Sequence, residues 1–300
     1  MTFRMLRNFA IGASTSLWLM GCGGEGTDTN GTNGGADTLD TAQNASNASL
    51  LKVGGKLFNI PSPVETAMLI KRAGMPYHKD RTMALDRVDN LPGKFQRSLA
   101  LGMYGADMAY VTIHRDGARS LTTLQAIEKL GTALEVSNAF DRTLIDRFRN
   151  NLNNEDSLLR MSGDAFGAAD RYLKTNERDD VSALVLAGGW IEGMHLILAE
   201  GSLNDQLATR VGEQKRTLID LIGLLRQSDK EGLCKDLLLR LEDMQTILNG
   251  VNTMYQYAEP MTDASARTTT ITSKSSISIS ADQIKALADR IASLRSTITA

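Results

Sequence analysis

The sequence predicts an all-α fold: a multi-helix bundle of about eight or nine helices, close small-residue contacts between them, and one short extended segment before the C-terminal helix. Three observations lead there. Apolar residues recur at helical spacing over long windows, as in Leu233, Leu237, Leu241, Met244, Leu248 and Val251. Helix-start signals precede such windows; Ser62-Pro63-Val64-Glu65 is a capping box with proline at the first helical position. Aromatic residues make up only 5% of the chain and there are five prolines, which suits helices better than a β-sandwich.

The chain opens with a segment that reads as a signal peptide over residues 1–21. Arg4 and Arg7 give it a positive start, and the apolar run from Phe9 to Met20 is shorter than the roughly 20 residues a spanning helix needs. Its end, Leu19-Met20-Gly21-Cys22, resembles the lipobox of bacterial lipoproteins, with Met20 departing from the small residue usual at that position. The resemblance implies cleavage before Cys22, lipidation of Cys22 by a diacylglyceryl group and commonly an N-acyl chain such as palmitate, and a membrane as partner. Two or more chains hold a protein stably on a bilayer, whereas one does not. Gly23 in place of an aspartate favours, by resemblance to Gram-negative sorting, the outer membrane, on its periplasmic or surface face.

Residues 23–49, the body of a linker expected over 22–50, are Gly, Thr, Asn, Asp, Ala and Ser with Leu39 as the one large apolar side chain. Such a composition cannot offset its ordering entropy, so the sequence predicts a disordered leash spanning roughly 30 Å. Asp37-Thr38-Leu39 and Asp40-Thr41-Ala42 resemble the O-glycosylation acceptors of Bacteroidota, which implies glycans on Thr38 and Thr41. Asn44-Ala45-Ser46 and Asn47-Ala48-Ser49 match the N-glycosylation sequon, which bacteria rarely use.

Residues 51–300 read as a single helical domain. The first helix runs from the capping box to about Arg72 and stops at Gly74. After a loop through Leu91-Pro92-Gly93, Leu99, Met103, Ala106 and Tyr110 share one face of a helix from Lys94 to about His114. Further helices are expected at about 118–138, 141–152, 155–175, 177–200, 204–227 and 230–257, with Asn, Asp and Gly at the joins. The Thr/Ser/Ile-rich stretch 261–280 reads as an extended connection without an evident partner strand. Ser280 and Gln283 then cap a last helix over 281–299, whose apolar face is Ile284, Leu287, Ile291, Leu294 and Ile298.

Three helical stretches combine glycines with a carboxylate among apolar neighbours: Leu101–Asp107, Gly163–Asp170 and Gly188–His195. Glycine inside a helix costs about 1 kcal/mol relative to alanine, so clusters of it predict close backbone approach. Asp107, Asp164, Asp170, Glu192 and His195 are the candidate ligand-binding residues. Glu192-x-x-His195 puts two ligand types on one helix face, the spacing of di-metal bundles, which makes this pair the candidate metal ligands. A di-metal site needs a second such motif, and neither His78 nor His114 has a Glu three residues earlier. The simpler reading is a polar network that fixes packing register, bonded to tyrosines, Trp190, Arg171 or helix caps. The helix around 181–199 is the most apolar and is expected at the centre of the bundle, where Glu192, His195 and the glycines argue against a membrane span.

No nucleophile elbow, P-loop, dinucleotide fingerprint or Cys-x-x-Cys occurs, and no cofactor is expected. The net charge of −2 provides no polybasic face for nucleic acid. There are two cysteines; with Cys22 lipidated, Cys234 has no partner for a disulfide and sits beside an apolar stripe as a small core residue. The run Phe95–Tyr110 resembles helical lipoproteins of Bacteroidota, a likeness that carries no activity with it. The expectation is therefore a membrane-anchored envelope lipoprotein acting as a binding or scaffold module, with an envelope protein as partner and no enzymatic activity. The alternative is a ligand- or metal-binding helical domain, enzymatic or not, built on the buried Asp/Glu/His cluster.

Overall fold

A computed structural model of the chain describes residues 50–53, 56–59, 63–136, 142–151, 154, 157, 160–161, 164, 178–263, 265 and 267–299. It is mainly all-α, as the periodicity predicts. The helices are α1 (Pro63–Arg72), α2 (Gly93–Ile113), α3 (Gly117–Ala133), α4 (Arg142–Asn150), α5 (Asp179–Leu198), α6 (Asp205–Ser228), α7 (Lys235–Asn249) and α8 (Ala281–Thr299). Two 3-10 turns, Lys79–Arg81 and Leu85–Asn90, punctuate the segment between α1 and α2.

The cores of α2 and α5 form the middle of the bundle. α5 packs against α1, α2, α6 and α8, and is buried along nearly its whole length from Val181 to Leu198. By length and composition it would span a membrane, but most of it lies inside the bundle, where an all-round apolar helix is a core helix. The glycine clusters explain how it gets so close to α2. A Cβ added to Gly102 would fall 1.8 Å from the Val185 carbonyl oxygen, and one on Gly188 would fall 1.9 Å from that of Leu99. Only backbones without side chains at those two points can meet in this way.

Helix ends follow their caps. Asp116 and Asn204 accept the backbone N–H groups of Arg119 and Leu207 through their side chains. Ser280 and Gln283 form the reciprocal pair of a capping box, at 2.9 and 3.2 Å. On α8, Leu287, Ile291, Leu294 and Ile298 are buried, so this helix packs back on the bundle as expected.

The structure corrects several boundaries. α3 ends at Ala133 rather than near residue 138, because the chain turns through Glu135 at a φ of 60°. The expected helix at 230–257 starts only at Lys235, where the Asp229 carboxylate takes the N–H groups of Leu233 and Cys234. It stops at Asn249, and the chain continues as β3 (Asn252–Gln256), once β1 (Leu50–Val53) and β2 (Lys56–Asn59) are counted as the hairpin ahead of the helices. β3 pairs antiparallel with β6 (Lys274–Ser278), and β4 (Met261–Asp263) with β5 (Thr268–Thr270). The extended stretch therefore has a partner after all: the residues read as the tail of a helix. At the base of this ribbon Ile277 seats against Gly212 of α6, a notch that no larger residue would leave open. The expected 155–175 helix falls mostly outside the described residues, although Ser157, Arg160, Met161 and Asp164 are helical.

Candidate functional site

The two buried acids among the described residues lie beneath the segment Pro76–Leu85. α2 brings Asp107 and α5 brings Glu192, which are 1% and 0% exposed. α8 brings Arg295, whose Nε donates to Glu192 Oε2 at 2.7 Å and whose Nη2 donates to Oε1 at 2.9 Å. This is a two-point guanidinium–carboxylate pair, the strongest geometry for such a contact. The same Nη2 also donates to the Arg81 carbonyl at 3.1 Å. Asp107 Oδ2 accepts the Met83 N–H at 2.7 Å. Each acidic group thus spends itself on the protein's own backbone or its own arginine.

Neighbouring side chains do the same. The Tyr104 hydroxyl donates to the Ala84 carbonyl at 2.6 Å, and Arg119 Nη2 donates to Thr82 Oγ1 and the Met83 carbonyl. The Tyr110 hydroxyl accepts the His78 N–H at 2.9 Å, and Tyr77 donates to Asp116 at 2.7 Å. Arg81 pairs with Glu200, and Tyr77 stacks on His114. An irregular segment carries backbone groups that no helix or sheet satisfies, and burying them demands side-chain partners. This network supplies them.

The electrostatics agree with that role. Burial pushes the Asp107 carboxyl well above the usual carboxylate range, and the adjacent Glu192 charge pushes it further, against the Met83 N–H and Arg295. Burial also raises Glu192, although Arg295 opposes the shift. His195, half-buried against the Arg81 backbone, is pushed down to about 4 by burial and then by the Arg295 charge, so its ring is neutral at neutral pH.

Of the five candidate residues, Asp107 and Glu192 therefore come together, and His195 faces the same segment through Arg81. Asp164 is exposed, unlike the buried pair, and Asp170 lies outside the described residues. Cys22, Thr38 and Thr41 also lie outside them. Among the described residues no group of three or more His, Cys, Asp and Glu side chains is arranged to hold a metal ion. Both Glu192 oxygens already face Arg295, so Glu192-x-x-His195 is not disposed as a ligand pair.

An open pocket lies elsewhere, at the N-terminal end of α5, lined by Lys94, Asp179, Asp180, Ser228, Glu231 and Cys234. It is about 18 Å along the helix from Glu192, at 1.5 Å per residue. Lys94 pairs with two of its acids, bonding Asp180 at 2.7 Å and Glu231 at 3.3 Å. Cys234 is buried there with its thiol pushed up to about 12 by burial and Asp229, which makes it a poor nucleophile.

Sequence reasoning missed Arg295, Arg119 and the role of Tyr104. The one usable signal was indirect: a carboxylate at the centre of the most apolar helix needs a cation or a proton. Trp190 was placed among candidate partners of the carboxylates, and it donates instead to Gln214 at 3.0 Å. In comparisons with known proteins, no family model matches the chain, nor does any curated protein or solved structure.

Proposed function

We propose that this chain is a lipid-anchored lipoprotein of the cell envelope whose helical domain serves as a binding or scaffold module and performs no chemistry of its own. The lipobox ending at Cys22 and the polar leash behind it support the tether, and Gly23 favours the outer membrane. The observation that carries the binding role is where most of the exposed large apolar side chains among the described residues lie. Its two buried acids, Asp107 and Glu192, are taken up by the Met83 N–H and Arg295. By contrast Met254, Tyr255, Tyr257, Met261 and Ile271 of the ribbon β3–β6 are 56, 65, 72, 64 and 74% exposed.

A two-stranded ribbon is marginally stable in water by itself, and both of its edges present unpaired backbone groups. β3 carries no charge that would block pairing at its edge. Apolar surface concentrated in one protruding element is the usual mark of an interaction site. The reading is that the ribbon engages an envelope protein while the lipid and leash hold the domain within reach of it.

The test is site-specific photo-crosslinking in cells with the full chain, placing the reactive group at position 257 and, as control, at the exposed Lys285 of α8. A discrete protein adduct is expected from position 257 alone, lost when Tyr255 and Met261 are changed to serine. No adduct, or the same adducts from both positions, would remove the ribbon as a binding element.

A further inference from the structure

We infer that Asp107 and Glu192 hold a single proton between them against Arg295, and that this proton latches the Arg81–Met83 backbone onto the bundle. The inference is independent of the tether and of the ribbon. It begins from a charge count. Two carboxyl groups, 1% and 0% exposed, share one guanidinium, so with both ionised the trio carries a net negative charge in a dry interior.

The hydrogen bonds make the same point. Arg295 occupies both Glu192 oxygens from one side, and Met83 N–H occupies Asp107 Oδ2. Asp107 Oδ1 is buried and meets no donor. The Asp107 and Glu192 side chains interact directly across the α2–α5 seam. Two acceptors cannot bond to each other. A proton on Asp107 Oδ1 turns the clash into a donor and an acceptor, leaves the trio neutral, and gives the trio's unpartnered oxygen a bond. A carboxylate has lone pairs enough to accept this bond beside the two from Arg295.

The other charged groups packed around the pair do not supply the missing cation. Arg81 is paired with Glu200, and Arg119 bonds Thr82 and the Met83 carbonyl. Tyr104 carries no charge at neutral pH, Asp86 is acidic, and His195 stays neutral there. Burial and the Glu192 charge both hold the proton on Asp107.

The consequence is a pH-sensitive latch. Asp107 titrates higher in the folded domain than in the unfolded chain. Stability therefore falls as pH rises from the ordinary carboxylate value, about 3.9, towards the folded one. Once the proton leaves, two facing negative charges sit beneath the Met83 N–H and the Arg81 carbonyl, and that segment loosens first.

Asp107→Asn tests this, because the amide keeps an acceptor for Met83 N–H and supplies a permanent N–H towards Glu192. The expected result is a variant at least as stable as the natural domain at pH 8, without its alkaline loss. In it, the protection of the Met83 amide against hydrogen exchange is constant with pH. In the natural domain that protection falls by up to about tenfold per pH unit as the proton is lost. Infrared spectroscopy of the natural domain at pH 7 should show the carbonyl band of a protonated buried carboxyl, absent in Asp107→Asn. Absence of that band in the folded natural domain overturns the inference, even if the variant fails to fold. So does a folded variant that keeps the natural pH slope.

Discussion

Gly188 and Gly189 are neighbours on α5 and should respond to alanine in opposite directions. A methyl group on Gly188 would sit 1.9 Å from the Leu99 carbonyl oxygen, whereas one on Gly189 meets nothing closer than 3.5 Å. Real Cβ atoms essentially never come within 3.0 Å of such an atom, so Gly188→Ala must push α2 and α5 apart by about 1 Å. A gap of that size forfeits a quarter to a half of each dispersion contact it opens. The seam it opens holds Leu99, Met103, Leu184 and Ile191, all buried. Overpacking of this kind costs about 1–3 kcal/mol and sometimes more, and the helix-propensity gain of alanine returns about 1 kcal/mol. With the most central helix pair affected, the cost falls at the upper end of that range, so the net loss should be about 2 kcal/mol. Gly189→Ala keeps the propensity gain without the clash and should be neutral or stabilising by up to about 1 kcal/mol. Urea unfolding of the two variants, read as a shift in midpoint at constant slope, measures the difference. If Gly188→Ala proves as stable as Gly189→Ala, the close approach of α2 and α5 is wrong.

Two further outcomes follow from the same structure and sequence. His195 is pushed down to about 4, so between its unfolded value near 6.5 and that point the unfolded chain takes up a proton that the folded ring refuses. Stability should therefore fall as pH drops through this window, by on the order of 2 kcal/mol once the ring's partial exposure is allowed for. Thermal melts at pH 7, 5.5 and 4 should show a shallower acid loss in His195→Gln, and equal slopes would contradict the assignment. For the tether, Cys22→Ser should move the chain from the membrane pellet to the soluble fraction, and a variant that stays with the membrane would refute lipid anchoring through Cys22.

What could be read in advance was what depends on near neighbours in sequence. Helical stripes, the capping pair Ser280–Gln283 and the glycine clusters each declare themselves within one or two turns. Gly102 and Gly188 announced a close approach because two unfavourable residues in helices need a packing reason. The carboxylates stood out for the same cause, a charge among apolar neighbours. Arg295 did not, because on α8 it looks like one more solvent-facing cation among Lys285 and Arg290. Its partner lies 103 residues away in the chain. The ribbon was hidden by a different effect. The apolar stripe of α7 runs on to Val251, so by local pattern β3 reads as its continuation, and only pairing with the distant β6 sets it apart.

That hidden pairing bears on how the domain is built. Loops are usually satisfied by water, and the segment from Pro76 to Leu85 is instead held from below by side chains of α2, α3 and α8, with His195 of α5 against the Arg81 backbone. Such a clamp is the reason the acids lie inside: Asp107 takes the Met83 N–H directly, and Glu192 holds the Arg295 that donates to the Arg81 carbonyl. Both Glu192 oxygens and Asp107 Oδ2 already meet the chain itself, and Asp107 Oδ1 is enclosed with them. An oxygen committed in this way can be freed only by releasing the segment it holds. The inward polarity and the exposed ribbon are therefore two results of one packing arrangement: the bundle encloses Asp107 and Glu192, while the ribbon keeps Tyr257 and Ile271 in water.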